Sequence, residues 1–600
     1  MAKQSSRRST IRAAQRGSKS AVAAASRFDW FNDAKFGLFI HWGLMAKLGA
    51  ELTGNTHVTE IENKTSIKTY REIARTFNPV EFDADKWVRM AKAAGMKYVV
   101  FISKHVEGFA MFNSKANSHN IVAGTPFKRD PMAELSRACK KHGLTMCFYY
   151  CQVLDLEDPD AVGNSVDYPD QDAKVLQRFL DRKVKPQLRE LLTQYGPIGL
   201  IWFDVPVKIT KQQSQELVDL VRSIQPNTLI NSRIGHGLYD YVSAMDNDNP
   251  TAGYNQPWET PATMNNNWNY AANDNAYKSP KEIVRTLVDI VSKGGNYLLN
   301  IGPTPEGTFP GPSVRRLQDL AKWMGPHSES IHGAGASPLP RQYVYRWGRV
   351  TTKGCRLFLH IFDWPLDDTL TLAGVRNKIR KAYLLSDKTK KPLKCTRSAQ
   401  GDLSVYVPAE KLPARLLDDI DTVVVLELAG APDIDPRVVL GNKDKTVLAA
   451  YEAKLHGPYA SHVECVWDAC VAMAPDWQAG ADMWAALPGQ FAGKRLSCVS
   501  NWRAEDSLSW EIRVDEPGTY DIELSYDAPK DSVGSEFVVT VGTHAIEAKV
   551  ESQGYGFEMK SIKLGSVAFD KPASCTLSIR PQTMTGTWLM NLESVTLTPR

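Results

Sequence analysis

Three observations predict that this sequence is multi-domain, with a (β/α)8-like barrel followed by a small antiparallel β-domain and a C-terminal, jelly-roll-like β-sandwich. At 600 residues the chain exceeds what one hydrophobic core can hold. Between residues 28 and 335 short apolar runs alternate with amphipathic helical patterns. After residue 336 the helical patterns stop, and alternating strands separated by turn residues take over.

In chain order, residues 1–27 are rich in Ser, Ala, Lys and Arg and contain no acid. They are expected to form a disordered basic leader, because they cannot bury apolar surface and lack the apolar core of a secretory signal. The barrel strands are read at "KFGLFIHWG" (35–43), "MKYVVFISKH" (96–105), "LTMCFYYCQ" (144–152), "IGLIWFDV" (198–205), "TLINSRIG" (228–235) and "NYLLNIGP" (296–303). These non-alternating runs of Val, Ile, Phe and Tyr suit parallel strands covered on both faces. Six are clear, so one or two of the eight are degenerate. Helical patterns such as "DADKWVRMAKAAG" (83–95) and "DPMAELSRACKKHG" (130–143) open on an Asp suited to an N-cap and close on a C-cap Gly. Residues 336–430 read as the antiparallel β-domain, 431–445 as a Pro/Asp-rich linker, and 446–600 as the sandwich. The sandwich is Trp-rich and is a candidate carbohydrate-binding module, with a structural β-domain whose Trp residues fill the core at least as good a reading.

Composition excludes several classes. The net charge is +5, from 72 basic and 67 acidic residues, and much of the surplus lies in the leader. The body is therefore near neutral, and no nucleic-acid partner is implied. No run of about 18 apolar residues offers a membrane span. The nine cysteines fit no zinc framework. Neither a metal nor an organic cofactor is expected. The oligomeric state, the cellular location and any export route are not legible.

In a barrel of parallel strands, polar residues at the C-terminal strand ends converge on one pocket. Those ends supply His41 and Trp42, then Lys104, His105, Val106 and Glu107, then Asp204, Arg233 and Asn300. Asp204 closes the apolar run "LIWF", and acetal hydrolysis needs a second carboxyl group opposite it. Glu259, beside Trp258 in the polar, aromatic stretch "YNQPWETPATMNNNWNY" (254–270), is the favoured partner; Asp246 and Asp248 compete for the role. Asp155, Glu157, Asp158 and Asp160 read as a solvated acidic cluster.

Four motifs in order, "WFNDAKFGLFIHWG", "KHVEGFAMFNSK", "IWFDVP" and "VSKGGNYLLNIGPTPEG", resemble glycoside hydrolase family 29, the α-L-fucosidases, over about residues 28–335. The resemblance implies a retaining exo-glycosidase that removes terminal α-L-fucosyl residues from an oligosaccharide or polysaccharide. It implies Asp204 as nucleophile and Glu259 as acid/base, with His41 and His105 holding sugar hydroxyls. Trp202 would line the pocket, Arg233 would lie near the nucleophile, and Trp42 and Trp258 complete the expected sugar contacts. The chain departs from the family pattern where "KHHDGF" reads "KHVEGF", and where an expected "EWY" is replaced by "KLGAELTGNTHVTEIENKT" (47–65). Those departures motivate a substituted fucose, such as a sulfated unit, or a related 6-deoxy or galacto sugar. A carbohydrate-binding protein with a decayed barrel is the alternative from another class.

Overall fold

The computed structural model describes residues 27–50, 65–250, 253–254, 256–340, 345–398, 401–441, 444–463, 498–551 and 559–600. The basic leader, the 51–64 stretch and Trp467, Trp477 and Trp484 lie outside the described residues.

Eight parallel strands form one sheet: β1 (Phe36–Ile40), β2 (Tyr98–Lys104), β3 (Thr145–Cys151), β4 (Leu200–Asp204), β5 (Leu229–Ile230), β6 (Val242–Ser243), β7 (Trp258–Thr263) and β8 (Asn296–Ile301). Their order is β5-β4-β3-β2-β1-β8-β7-β6, and a parallel bridge from Asn231 to Tyr241 joins the two edges into a closed barrel. The two strands that the apolar pattern misses have physical reasons to be missed. β6 contributes two residues, and β7 reads WETPAT, with a proline and three polar residues although all six positions are buried. No α-helix follows β5 or β6 among the described residues. The helical spacing that marks the other crossovers is therefore absent there.

Elsewhere local chemistry sets the helices. Helix α1 (Ala84–Ala93) starts where the Asp83 side chain accepts from the Lys86 backbone N–H. Helix α2 (Pro131–His142) is capped by Asp130 and stopped by Gly143 at φ 73°. Helix α3 (Pro280–Ser292) opens on a full capping box between Ser279 and Glu282. Strand residues alternate in destination. Leu38, Phe101, Phe148, Ile201, Phe203 and Leu299 pack outward against the helices. Phe39, Tyr98, Val100, Tyr149, Leu200, Trp202 and Leu298 fill the barrel interior.

A second unit packs a four-stranded sheet (Gly348–Lys353, Arg356–Ile361, Ile379–Leu384, Thr422–Leu428) over a three-stranded one (Thr369–Leu372, Lys394–Arg397, Leu403–Tyr406), all antiparallel. It is fastened to the barrel by the Trp323 Nε1–H donating to the Asp421 carbonyl at 3.1 Å. The C-terminal unit is a sandwich of two six-stranded sheets around one core. Trp502 and Trp510 are buried in that core and offer no ring face to a sugar.

The stretch read as a linker is built into the fold. Val438–Leu440 pairs in parallel with the sandwich strand Ser507–Val514. Asp435 ties Arg376 of the second unit, at 3.1 Å, to Arg437. The strand pairing of Val438–Leu440, with Val438 and Leu440 buried, and a buried acid between arginines explain the order that Pro/Asp content conceals.

Gly37 on β1 lies level with Tyr98 on β2, and a Cβ there would collide with the Tyr98 ring. Gly37→Ala is expected to destabilise the barrel by about 1–3 kcal/mol through overpacking. Thermal or urea unfolding of the two proteins checks this.

Candidate active site

Strand β4 carries the candidate nucleophile because of its alternation. Leu200 and Trp202 point into the barrel and Ile201 and Phe203 away, so Asp204 points inward at the open end. Its backbone is pinned by the Asp204 N–H donating to Gln152 Oε1 at 2.9 Å. Asn231 exchanges two 2.9 Å hydrogen bonds with the Phe203 backbone beneath it. Val205, the next residue, adopts φ 53°, a left-handed conformation that is strained for a β-branched side chain. The strand thus turns sharply away as soon as the carboxylate has been presented.

Asp204 opens on a cavity of about 520 Å³. The Tyr149 hydroxyl donates to its Oδ2 at 2.8 Å, and Arg233 donates to its Oδ1 at 3.1 Å. The other arm of the same guanidinium donates to Asp246 Oδ1 at 2.5 Å and to the Ala244 carbonyl at 3.0 Å. Arg233 also stacks over the Trp202 ring at 4.5 Å. Burial opposes its charge, and the Asp246 and Asp204 carboxylates outweigh that and hold its pKa above the ordinary value.

Asp246 sits at the rim with 44% of its side chain accessible. The surrounding protein raises its carboxyl pKa; Arg233 opposes the shift and the Asp204 charge adds to it. His41, at the end of β1, places Nδ1 2.6 Å from Asn300 Oδ1. Burial and then the neighbouring His105 push its pKa well below 6.5, against the Asn300 hydrogen bond. His105 stacks on Tyr149 with centroids 5.5 Å apart. Val106, Leu154, Val162, Val205 and Val207 make one apolar wall, and Lys208 adds an ammonium group. Among the described residues, no group of three or more His, Cys, Asp or Glu is placed to hold a metal ion, and no helix is long and apolar enough to cross a membrane.

The family model described as alpha-L-fucosidase matches residues 3–329. The chain belongs to the alpha-L-fucosidase family. It is 27% identical over 418 residues to the alpha-L-fucosidase of Dictyostelium discoideum, covering 63% of this chain and 88% of that one. It is 30% identical over 334 residues to the plasma alpha-L-fucosidase of Rattus norvegicus, covering 50% and 70%. Among solved structures, the alpha-L-fucosidase of a Vibrio strain superposes with a TM-score of 0.70 at 28% identity, over 96% of this chain and 98% of that one. Alpha-L-fucosidase isoenzyme 1 of Paenibacillus thiaminolyticus does so with 0.60 at 34% identity, over 68% and 99%. The chain is accordingly a glycoside hydrolase with α-L-fucosidase activity.

Within this fucosidase barrel, Asp204, His41, His105, Trp202 and Arg233 meet at one cavity, as their strand-end positions predict, and Asp246 joins them. Three expected residues do not line it. Trp42 is fully buried outside the barrel against Phe82 and Trp87, its Nε1–H donating to the Thr304 carbonyl at 3.0 Å. Trp258 faces outward into the helix layer and presses on Gly295. Glu259 lies at the start of buried strand β7 rather than in a loop. It is fully buried below the cavity, accepting from the Tyr98 hydroxyl and from Trp202 Nε1 at 3.0 Å.

The supposedly solvated Asp155 is also buried, between Lys104 at 3.1 Å and Lys183 at 2.8 Å. Residues that the strand ends did not reveal include Tyr149, Trp268 and Lys208. Tyr149 pairs in register with Trp202, a signal that exists once β3 and β4 are known to be neighbours.

Burial pushes the Glu259 carboxyl up to about 7, against the hydrogen bonds from Tyr98 and Trp202. The folded protein therefore holds a proton that the unfolded chain releases between pH 4.5 and 7. Stability from this group is full below that window and is lost as pH rises through it, by roughly 3 kcal/mol. Glu259→Gln mimics the protonated acid, so its stability advantage over the parent should grow by that amount from pH 4.5 to 7. Paired unfolding curves across that range test it, and a constant difference would mean that folding leaves the carboxyl pKa unshifted.

Proposed function

We propose that the enzyme releases terminal α-L-fucosyl residues from oligosaccharides or polysaccharides with retention of configuration, using Asp204 as nucleophile and Asp246 as acid and then base. The observation that carries this is the single Arg233 guanidinium joined to both carboxylates at the cavity. Retaining glycosidases hold their two carboxyl groups about 5–5.5 Å apart, and a shared guanidinium suits such spacing. Glu259, below the cavity with both oxygens engaged, has no route to a leaving group.

In the first step an Asp204 oxygen bonds to the anomeric carbon, the glycosidic C–O bond breaks, and Asp246 gives its proton to the departing oxygen. Tyr149 and Arg233 hold the Asp204 carboxylate in line for attack. This step needs the acid form of Asp246, whose place at the rim leaves it open to protons from solvent. In the second step Asp246 takes a proton from water, the water oxygen bonds to the anomeric carbon, and the Asp204 ester bond breaks. Neutral His41, with His105 beside it at the cavity, suits hydroxyl recognition. Lys208, which forms no hydrogen bond or ion pair among the described residues, supports a fucosyl unit carrying an anionic substituent such as a sulfate ester.

Asp204→Gly should lose nearly all turnover of an aryl α-L-fucoside, and added azide should yield the β-fucosyl azide. Asp246→Gly should lower kcat/KM by about 10²–10⁴-fold for poor leaving groups and far less for dinitrophenyl fucoside. Azide should then restore turnover and yield the α-fucosyl azide. If that azide signature appears with Glu259→Gly and not with Asp246→Gly, the acid/base is Glu259. In a separate comparison, Lys208→Ala should lower kcat/KM about tenfold more for a sulfated than for an unsulfated fucoside. Equal losses would remove the anionic substituent from the proposal.

A further inference from the structure

We propose that Asn300 is a positioning residue. It fixes His41 as the tautomer protonated at Nδ1, so that the Nε2 lone pair accepts a hydrogen bond from a hydroxyl of the bound sugar. The inference rests on the reading that this cavity holds the fucosyl ring.

Asn300 lies on β8, and its amide has two neighbours whose chemistry cannot be exchanged. Its Nδ2 lies 2.6 Å from the Trp268 carbonyl oxygen, which can only accept. The amide nitrogen must face that carbonyl, so Oδ1 must face His41, where it lies 2.6 Å from Nδ1. An amide oxygen does not donate, so the proton between them belongs to Nδ1. His41 is neutral, because burial and His105 hold its pKa well below 6.5. A neutral imidazole protonated at Nδ1 leaves Nε2 as a pure acceptor.

His41 lines the cavity, clasped by Phe39 at 4.4 Å and Trp268 at 4.9 Å between ring centroids. The facing titratable groups are His105 and Tyr149, with ring centroids at 5.8 and 5.9 Å, and Glu107 behind His105 at 3.7 Å from its Nδ1.

The same amide ties down the loop that carries Trp268. That loop lies so close to β8 that a Cβ at Gly302 would sit 2.5 Å from the Tyr270 backbone nitrogen. One side chain therefore couples the protonation geometry of His41 to the position of the aromatic ring over it. A sugar hydroxyl bound there must donate to His41, and its own lone pairs are left for another donor.

The test uses the full-length enzyme with 15N-labelled histidine, the His41 signal being identified by its loss in His41→Asn. The parent should show the Nδ1–H tautomer. Asn300→Leu should show a mixed or Nε2–H tautomer and a kcat/KM at least about tenfold lower, carried mainly by KM. Fucosides lacking one hydroxyl should identify a position whose removal hurts the parent and adds no further loss in Asn300→Leu.

Asn300→Asp keeps an acceptor for Nδ1–H and adds a negative charge, which raises the His41 pKa. It should therefore keep the tautomer near neutral pH and gain a new acidic limb in kcat/KM, with activity falling as His41 protonates and loses its acceptor. A purely structural role for Asn300 would lower kcat/KM at all pH values without a tautomer change or a new limb. That result, or an Nε2–H tautomer in the parent, overturns the proposal. The reading of the cavity fails separately, if Asp204 and Asp246 variants keep full turnover while the His41 tautomer is as stated.

Discussion

A column of contacts runs along the barrel axis, and the active site depends on it from below. At its foot Glu259 accepts hydrogen bonds from Tyr98 on β2 and from the indole of Trp202 on β4. That fixes the Trp202 ring, whose face carries Arg233. Arg233 in turn spans Asp204 and Asp246 at the open end. A carboxyl group buried without such partners would cost several kcal/mol. Here its donors are the interior side chains that the barrel needs to hold rigid. Glu259 thus builds the floor on which the charged site stands.

The upper end of the column separates two carboxyl groups of the same residue type. Asp204 receives a phenol hydroxyl and one arm of the guanidinium and terminates a buried strand. Asp246 receives the other arm, lies in the loop after β6 and faces open space. One cation can serve both because Arg carries its donors in a rigid fork. A lysine in its place would supply a point charge and leave the relative orientation of the two acids free.

Much of the barrel was legible from residue pattern, because six of the strands are apolar runs between capped helices, and the burial that drives folding writes itself into composition. The site residues that were legible share a cause. His41, His105, Asp204 and Arg233 each follow an apolar strand, where a polar side chain is conspicuous. β6 and β7 were not legible: two residues make no periodicity, and in WETPAT the buried Glu259 and Thr263 side chains find hydrogen-bond partners that composition does not display. Glu259 was misplaced for that reason, since an acid between Trp and Thr reads as a loop until its donors, 161 and 57 residues away, are known. Trp42 follows a strand end as His41 does, yet points to the opposite face, because consecutive side chains alternate.

By itself the sequence determined the succession of a parallel barrel and two β-rich units, the family, and the acid that ends β4. Each of these depends on local pattern or on motifs contiguous in the chain. Only the tertiary structure decided which second carboxyl shares the cavity with Asp204, which aromatic rings line it, and which nitrogen of His41 bears the proton. Those are questions of direction and distance between side chains far apart in the chain, settled by strand register and by the donors and acceptors that register brings together.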